Sequence, residues 1–388
     1  MDKKMDRFMG LDNTGDPLTL PLGHLATADN IDITDAGKIT RRKGYDLAIA
    51  GNVTGAYGTL DHQRMFYVID GNLTVMDGAV VIAEGLEAER MHWAELNEHV
   101  YYSNGTDLGI IDAINSHREW SWPVPGAPTL AAVTGDLPPG KYDVCCTYVF
   151  EDGRETGSGV ASSIDIAEGQ ALQISDIPHA DGMSTLVYIA PANSTVFQLA
   201  YRGRTGAVVW NHGPNALGRN LTTFGLDPVP AGNVIQFWGG RVYVAQHFPR
   251  ENMTAIWKSL SMGFHLFDLS ADMAAVSGEV LMMAPHAQAL VIGTDTHIYA
   301  LTAEGLQTLA TYGVVPGCAW GIDDSDPAKP IYFWTLRGMC RYPDFANLIP
   351  HVSVAPGVQA GAAVVQADGQ KRFVVALHQG GTPFNSRS

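Results

Sequence analysis

Few side chains in this chain stand at spacings that make or break bonds. Gly157-Ser158-Gly159 looks like part of a nucleophile elbow, but the full G-x-S-x-G pattern that lifts a serine onto a strained turn is missing, and a turn in a polar loop is expected instead. The chain has no H-E-x-x-H and no phosphate-binding loop. Asp323, Asp324 and Asp326 crowd one stretch, and such oxygen-rich loops bind calcium when ligands recur at fixed alternate positions. That order is absent, so a solvated turn is expected. His62, His92, His212 and His297 lack the i, i+2 or i, i+4 pairing of a metal site. Cys145, Cys146, Cys318 and Cys340 lack metal-ligand spacing. On a strand, Cys145 and Cys146 point to opposite faces, so four reduced, mostly buried thiols are expected. The expectation from these residues is a protein that is not an enzyme and holds no cofactor and no metal.

Charge offers a second chemistry. The formal net charge is −16, from 24 Lys and Arg against 40 Asp and Glu. A surface that grips nucleic acid needs cations against the phosphates, which this balance opposes. A surface that DNA slides past has the reverse need, since like charge prevents sticking. The acidity is equally what a solubilising surface requires. Lys38, Arg41, Arg42 and Lys43 form the one dense basic run. It is either a solvated strand end or an assembly contact with an acidic neighbouring subunit, because clustered arginines suit paired binding of carboxylates.

The elements that must carry these residues are strands. Short apolar runs recur at Phe66–Ile69, Val100–Tyr102, Val242–Ala245, Leu290–Ile292, Ile331–Trp334 and Phe373–Ala376. Their starts lie 34, 142, 48, 41 and 42 residues apart. Four gaps lie near the period of a propeller blade, roughly 40–50 residues, the first being short. The fifth is one period plus an inserted domain. Segments such as Gly55–Gly58, Met91–Trp93, Val234–Phe237, Val280–Met283 and Gly317–Trp320 supply inner strands, and Leu73–Met76, Leu108–Ile111 and His297–Ala300 supply third strands. One such sheet cannot bury both faces, whereas stacked sheets around an axis can. The fold class is therefore read as all-β: a six-bladed β-propeller with an inserted fibronectin type III-like or immunoglobulin-like β-sandwich.

The organisation follows. Residues 1–53 form an extended segment that closes the propeller through Asn30–Ile33 and Lys38–Thr40. Residues 54–124 carry blades one and two, 125–230 the sandwich, and 231–388 blades three to six. In the sandwich, short strands recur every 8–12 residues or so, as that architecture requires. A short helix is expected over Leu86–Leu96. The N-terminus, MDKKMDRFMG, has no apolar run, so no secretory signal is read there. No stretch of about 18 apolar residues suggests a membrane anchor. The sialidase boxes S-x-D-x-G-x-T-W of one propeller class are missing.

The residues also resemble a family. Phe8-Met9-Gly10-Leu11-Asp12-Asn13, Asp29-Asn30-Ile31-Asp32-Ile33 and Arg41-Arg42-Lys43-Gly44-Tyr45 together look like the opening of nozzle and tail-tube proteins of tailed bacteriophages. Gly239–Ala245, Gly278-Glu279-Val280 and the stretch Leu137–Tyr142 with Asp152–Gly157 are similar to later parts of such proteins. The resemblance implies a virion protein of the tail, assembled in the host cytoplasm as a homohexameric ring. Its implied partners are an adaptor ring, tail fibres and the double-stranded DNA that passes through the lumen without specific binding. The chain is shorter than many nozzle proteins. One rival reading is a propeller adhesin that binds a receptor or glycan, and another is a propeller hydrolase.

Overall fold

Short apolar runs bounded by turn residues commit most of this chain to strands, and central ones such as Leu290–Thr294 are buried on both faces. The computed structural model describes residues 7–34, 36–42, 44, 46–204, 206–317, 320–367 and 370–380. Its described part is all-β, with many antiparallel sheets and two single-turn 3₁₀ segments.

Sheet A holds Val53–Gly58, Met65–Ile69, Asn72–Val75 and Val80–Ala83 in that order. Sheet B holds His92–Leu96, His99–Ser103, Leu108–Ile111 and His117–Arg118. Sheet E holds Val234–Trp238, Arg241–Phe248, Met253–Leu260 and Gly263–Phe267, with Met273–Ser277 also paired to Met253–Leu260. Sheet F holds Val280–Pro285, Leu290–Thr294, Ile298–Thr302 and Gly305–Ala310. Sheet G holds Trp320–Ile322, Ile331–Thr335, Gly338–Tyr342 and Ala346–Asn347, and sheet H is the hairpin of Gln359–Ala367 and Gln370–His378. Within each, strands consecutive in the chain lie side by side and antiparallel, Met273–Ser277 of sheet E excepted. Asp70-Gly71 and Gly239-Gly240 both have positive φ at both central positions, the geometry of two-residue hairpin loops that match strand twist.

The recurring apolar runs are the second strands of sheets A, B, E, F, G and H, and the preceding segments are their first strands or lead into them. Each sheet packs its face on the next. Phe66, Val68, Leu73 and Val75 of sheet A share a core with Val100, Tyr102 and Ile111 of sheet B. Tyr101 and Ile110 on the other face of sheet B meet Ile235, Phe237, Val242 and Val244 of sheet E. Sheets E and F join through Tyr243, Ile256, Met283 and Ile292, and sheets F and G through Met282, Val291, Phe333 and Tyr342. Trp334 of sheet G packs with Ala360 and Val375 of sheet H. Burial of this kind contributes about 25 cal/mol per Å² of apolar surface, so every interface between sheets holds the array together.

Residues 129–210 build two further sheets. Sheet C holds Thr129–Thr134, Gln170–Ser175 and Ala207–Trp210, and sheet D holds Ser162–Ile166, Gly140–Val149, Ser184–Ala190 and Gln198–Gly203. They face each other over one core of Tyr142, Val144, Cys146, Leu172, Ile174, Val187, Ile189 and Trp210. Cys145 lies on the opposite face of sheet D with Leu186 and Tyr188. Cys145, Cys146 and Cys340 are free and buried; Cys318 lies outside the described residues.

Two local expectations fail. Leu86–Leu96 contains no helix; its last part is the strand His92–Leu96. The reason is visible in Met91-His92-Trp93-Ala94, where alternate residues serve two neighbours: Met91 and Trp93 pack toward sheet A, with Trp93 stacked on Tyr57 at 5.9 Å, and Ala94 packs toward sheet E. Ser158 is buried rather than in an open polar loop. Its Oγ accepts the Gly225 amide at 3.1 Å, and Gly157 lies so close to the Leu226 carbonyl that a Cβ would sit 1.7 Å from it.

Candidate functional site

The basic run divides on inspection. Ile39–Arg41 pairs antiparallel with Ile31–Ile33, so Arg41 lies opposite Ile31. Lys38, Arg41 and Arg42 are exposed, and Arg42 reaches Asp32 at 3.7 Å. Asp32 also accepts from Arg372 of sheet H at 3.1 Å. Asn13 ties the N-terminal segment further, donating to Ser353 O at 2.9 Å and accepting from the Ser353 amide at 2.7 Å. The segment thus lies against the last two sheets. Lys43 lies outside the described residues.

The acidic loop is a turn. Asp323 accepts the Ser325 amide at 3.0 Å, Asp326 accepts the Ala328 amide at 2.8 Å, and Asp324 pairs with Lys371. Among the described residues no group of three or more His, Cys, Asp or Glu is placed to hold a metal ion. No helix among them is long and apolar enough to cross a membrane.

One cavity of about 250 Å³ gathers groups that the sequence did not single out. Its base is a cross-strand row on one face of sheet B: Tyr101 pairs with Ile110, which pairs with Arg118. His99 stands two residues before Tyr101 on the same face. The tight turn after Gly140–Val149 adds Asp152 and Arg154, and the turn entering Gly263–Phe267 adds Met262, Phe264 and His265. Trp120 forms the back, its indole donating to Phe264 O at 2.9 Å and its ring edge-on to Tyr101 at 5.2 Å.

Arg154 is the hub. Its Nε donates to Asp152 at 2.8 Å, and its terminal nitrogens donate to Trp120 O at 3.2 Å and Glu119 O at 3.1 Å. Its guanidinium lies 4.8 Å over Trp122. Burial works against the Asp152 carboxylate, but hydrogen bonds from Arg154 and the charges of Arg154 and Arg118 hold its carboxyl below the usual range. Arg118 is paired with Asp112 at 2.8 Å. His265 Nε2 meets Glu155 O at 3.1 Å. A carbonyl only accepts, so Nε2 carries the proton and Nδ1 is a bare acceptor. Burial, then the Arg154 charge, pushes the His265 imidazolium down, which keeps the ring neutral. His99 Nδ1 meets Asn97 O at 2.8 Å, which by the same reasoning leaves Nε2 as an acceptor in the neutral ring.

Beneath this site runs a buried polar network. Glu155 accepts from Thr147 Oγ1 at 2.6 Å and Tyr188 OH at 2.7 Å, and pairs with Arg219. Its carbonyl is the one that fixes His265. The pocket and the face of sheet D that points away from sheet C therefore meet in one residue.

These features define an all-β protein of stacked antiparallel sheets with a polar cavity at one junction. No protein-family model matches the chain, and no curated protein matches it. Solved structures do match, among them the crystal structure of Porphyromonas gingivalis dipeptidyl peptidase 4, with 7% identity and a TM-score of 0.29. That match covers 79% of this chain and 47% of the peptidase, so the chain spans about half the length of its structural neighbour. The expectation that this chain is not an enzyme stands against a neighbour that is itself a peptidase. A likeness this distant fixes no activity for the chain in either direction.

Proposed function

We propose that this chain is a structural subunit of a bacteriophage tail, a nozzle or hub whose copies form a ring that extends the DNA channel. In this reading sheets A, B, E, F, G and H are six propeller blades. Sheets C and D are a β-sandwich inserted after the second blade, and the N-terminal segment closes the ring against sheet H. The observation that carries the reading is the order of packing. Sheet B packs directly on sheet E although residues 125–230 intervene, and the sheets otherwise stack in chain order. Arg90, just before sheet B, donates to Gly317 O, just before sheet G, at 2.6 Å. Contact between segments that lead into sheets so far apart in sequence is what a closed ring would bring about.

The N-terminal motifs supply the assignment to tails, and the −16 charge supplies a physical role. Acidic side chains outnumber basic ones on the lumen, and their repulsion acts over about 8 Å at physiological salt, which keeps a passing duplex from sticking. Lys38, Arg41 and Arg42 lie away from the lumen and contact an adaptor or neighbouring subunit. Fibres attach outside the ring.

Electron microscopy of the purified protein tests this directly. Rings with an axial channel are expected. Arg41→Glu with Arg42→Glu abolishes incorporation into tails while the isolated chain keeps its circular dichroism and melting temperature. A protein that stays monomeric at every concentration and is missing from virions overturns the proposal; normal tails from the double variant overturn the role of this segment.

A further inference from the structure

The cavity between sheets B and E is not needed for a ring, and its chemistry selects a ligand on its own terms. At about 250 Å³ it is smaller than the roughly 300–1,000 Å³ of sites for larger molecules, and suits one small ring. Three facts narrow the class. First, the local charges cancel. Arg118 is matched by Asp112 and Arg154 by Asp152, at 2.8 Å in each case. An anion would have to displace a carboxylate already in place, and a cation would meet two guanidiniums. The ligand is therefore neutral.

Second, acceptors dominate. His99 Nε2, His265 Nδ1 and the Asp152 carboxylate all accept, and each is set by a bond on its far side: His99 to Asn97 O, His265 to Glu155 O, Asp152 to Arg154. Tyr101, whose phenol burial keeps protonated, adds a hydroxyl. Such a lining matches a ligand with several hydroxyl donors. Third, the remaining walls are apolar: Ile110, Phe264 and the exposed Met262. Apolar faces with polar edges are the surface of a sugar ring, whose C–H face lies on aromatic carbon while its hydroxyls bond sideways.

We infer that this cavity is a binding site for one neutral pyranose unit of a glycan, with Phe264 and Met262 against the ring face and His99, His265 and Asp152 accepting its hydroxyls. The fixed histidine tautomers make the site preorganised, since no proton has to move when the ligand enters. The site stands whether or not the chain assembles into rings, and it adds a recognition role to a structural subunit.

Saturation-transfer NMR on the full chain tests it with methyl glucoside, methyl galactoside and methyl N-acetylglucosaminide as probes, and with benzoate as the anionic contrast. At least one glycoside is expected to bind near a Kd of about 1 mM, as a single shallow subsite would. His99→Phe and Phe264→Ala should each weaken it at least about tenfold, equivalent to about 1.4 kcal/mol, with the melting curve unchanged for His99→Phe. Failure of every glycoside to bind the native chain overturns the inference. So does glycoside binding that His99→Phe leaves intact. If benzoate binds and Arg118→Ala abolishes it while His99→Phe does not, the cavity is a carboxylate site and the inference also falls. Ring assembly by microscopy on the same samples separates this outcome from the fate of the tail proposal.

Discussion

Glu155→Ala should be the most damaging single substitution of a polar residue in the region of sheets C and D. Thr147 and Tyr188 are fully buried, and both donate to Glu155 Oε1, at 2.6 and 2.7 Å. Alanine removes the acceptor and leaves both hydroxyls without one. Each buried orphan costs about 1–3 kcal/mol. The Arg219 pair adds little, about 0–1 kcal/mol, because half of that arginine side chain faces water. The expected loss is thus about 3–5 kcal/mol. Glu155→Gln keeps an oxygen for the two hydroxyls and gives up only the charge, so about 1 kcal/mol is expected. Urea unfolding followed by tryptophan fluorescence measures both, with an unchanged slope showing that stability alone moved. A double-mutant cycle with Tyr188→Phe isolates the hydroxyl, and a coupling of about 1–2 kcal/mol is expected. A loss below about 1 kcal/mol for Glu155→Ala, or no coupling to Tyr188, would refute the reasoning that orphaned hydroxyls set the cost.

Other outcomes follow from single features. Gly157→Ala places a methyl 1.7 Å from the Leu226 carbonyl oxygen, and since backbone must shift, a loss of about 1–3 kcal/mol is expected in the same unfolding assay. His92 is pushed down to about 3, by burial first and the Arg90 charge second, from an ordinary value of 6.5. Its folded value is depressed, so the stability it contributes is complete above 6.5 and is lost as pH falls toward 3. The slope is at most about 1.4 kcal/mol per pH unit, and His92→Gln should flatten stability over that window when melts are compared across pH. Burial pushes the Cys145 and Cys146 thiols up to about 12, with the Cys146 charge adding to the shift at Cys145. Both should therefore resist alkylation at pH 8 until urea unfolds the chain, as mass spectrometry of the labelled protein would show.

The strand framework was legible because its signal is local. A run such as Phe66–Ile69 alternates faces, and an Asp-Gly turn follows it with both residues in the left-handed region. The period of 41–48 residues in the second half was visible for the same reason, since each sheet repeats one meander. Leu86–Leu96 misled because its apolar residues fit a helical period as well as a strand over so short a span. Pairing with His99–Ser103 decided for a strand, and pairing is a nonlocal fact. Ser162–Ile166 and Ala207–Trp210 give weak local signals, the first because Ser163 and Asp165 interrupt it and the second because it is only four residues long; pairing with Gly140–Val149 and Gln170–Ser175 makes them strands.

The candidate cavity shows why sites are harder to read than folds. Residues 99 to 118 could have been placed on one face, because hairpin register follows from turn position. Nothing in the sequence says that Asp152 and Arg154, on a turn of the other pair of sheets, would lie against Phe264 and His265 of sheet E. That meeting depends on how sheets C and D seat against sheets B and E, and the seating includes a few polar bonds: Arg154 to Trp120 O and Glu119 O, His265 to Glu155 O. Such bonds join residues 34 to 110 positions apart and leave no periodic trace. The readable cue was compositional. Glu155 follows the hairpin turn after Gly140–Val149, and a carboxylate as buried as this one is retained where partners await it. The glycine at 157 carries the same message from the opposite side, since only the smallest residue lets that backbone close on Leu226. Fold, in this chain, is written in short apolar runs and the turns between them; the site is written in the exceptions to that pattern.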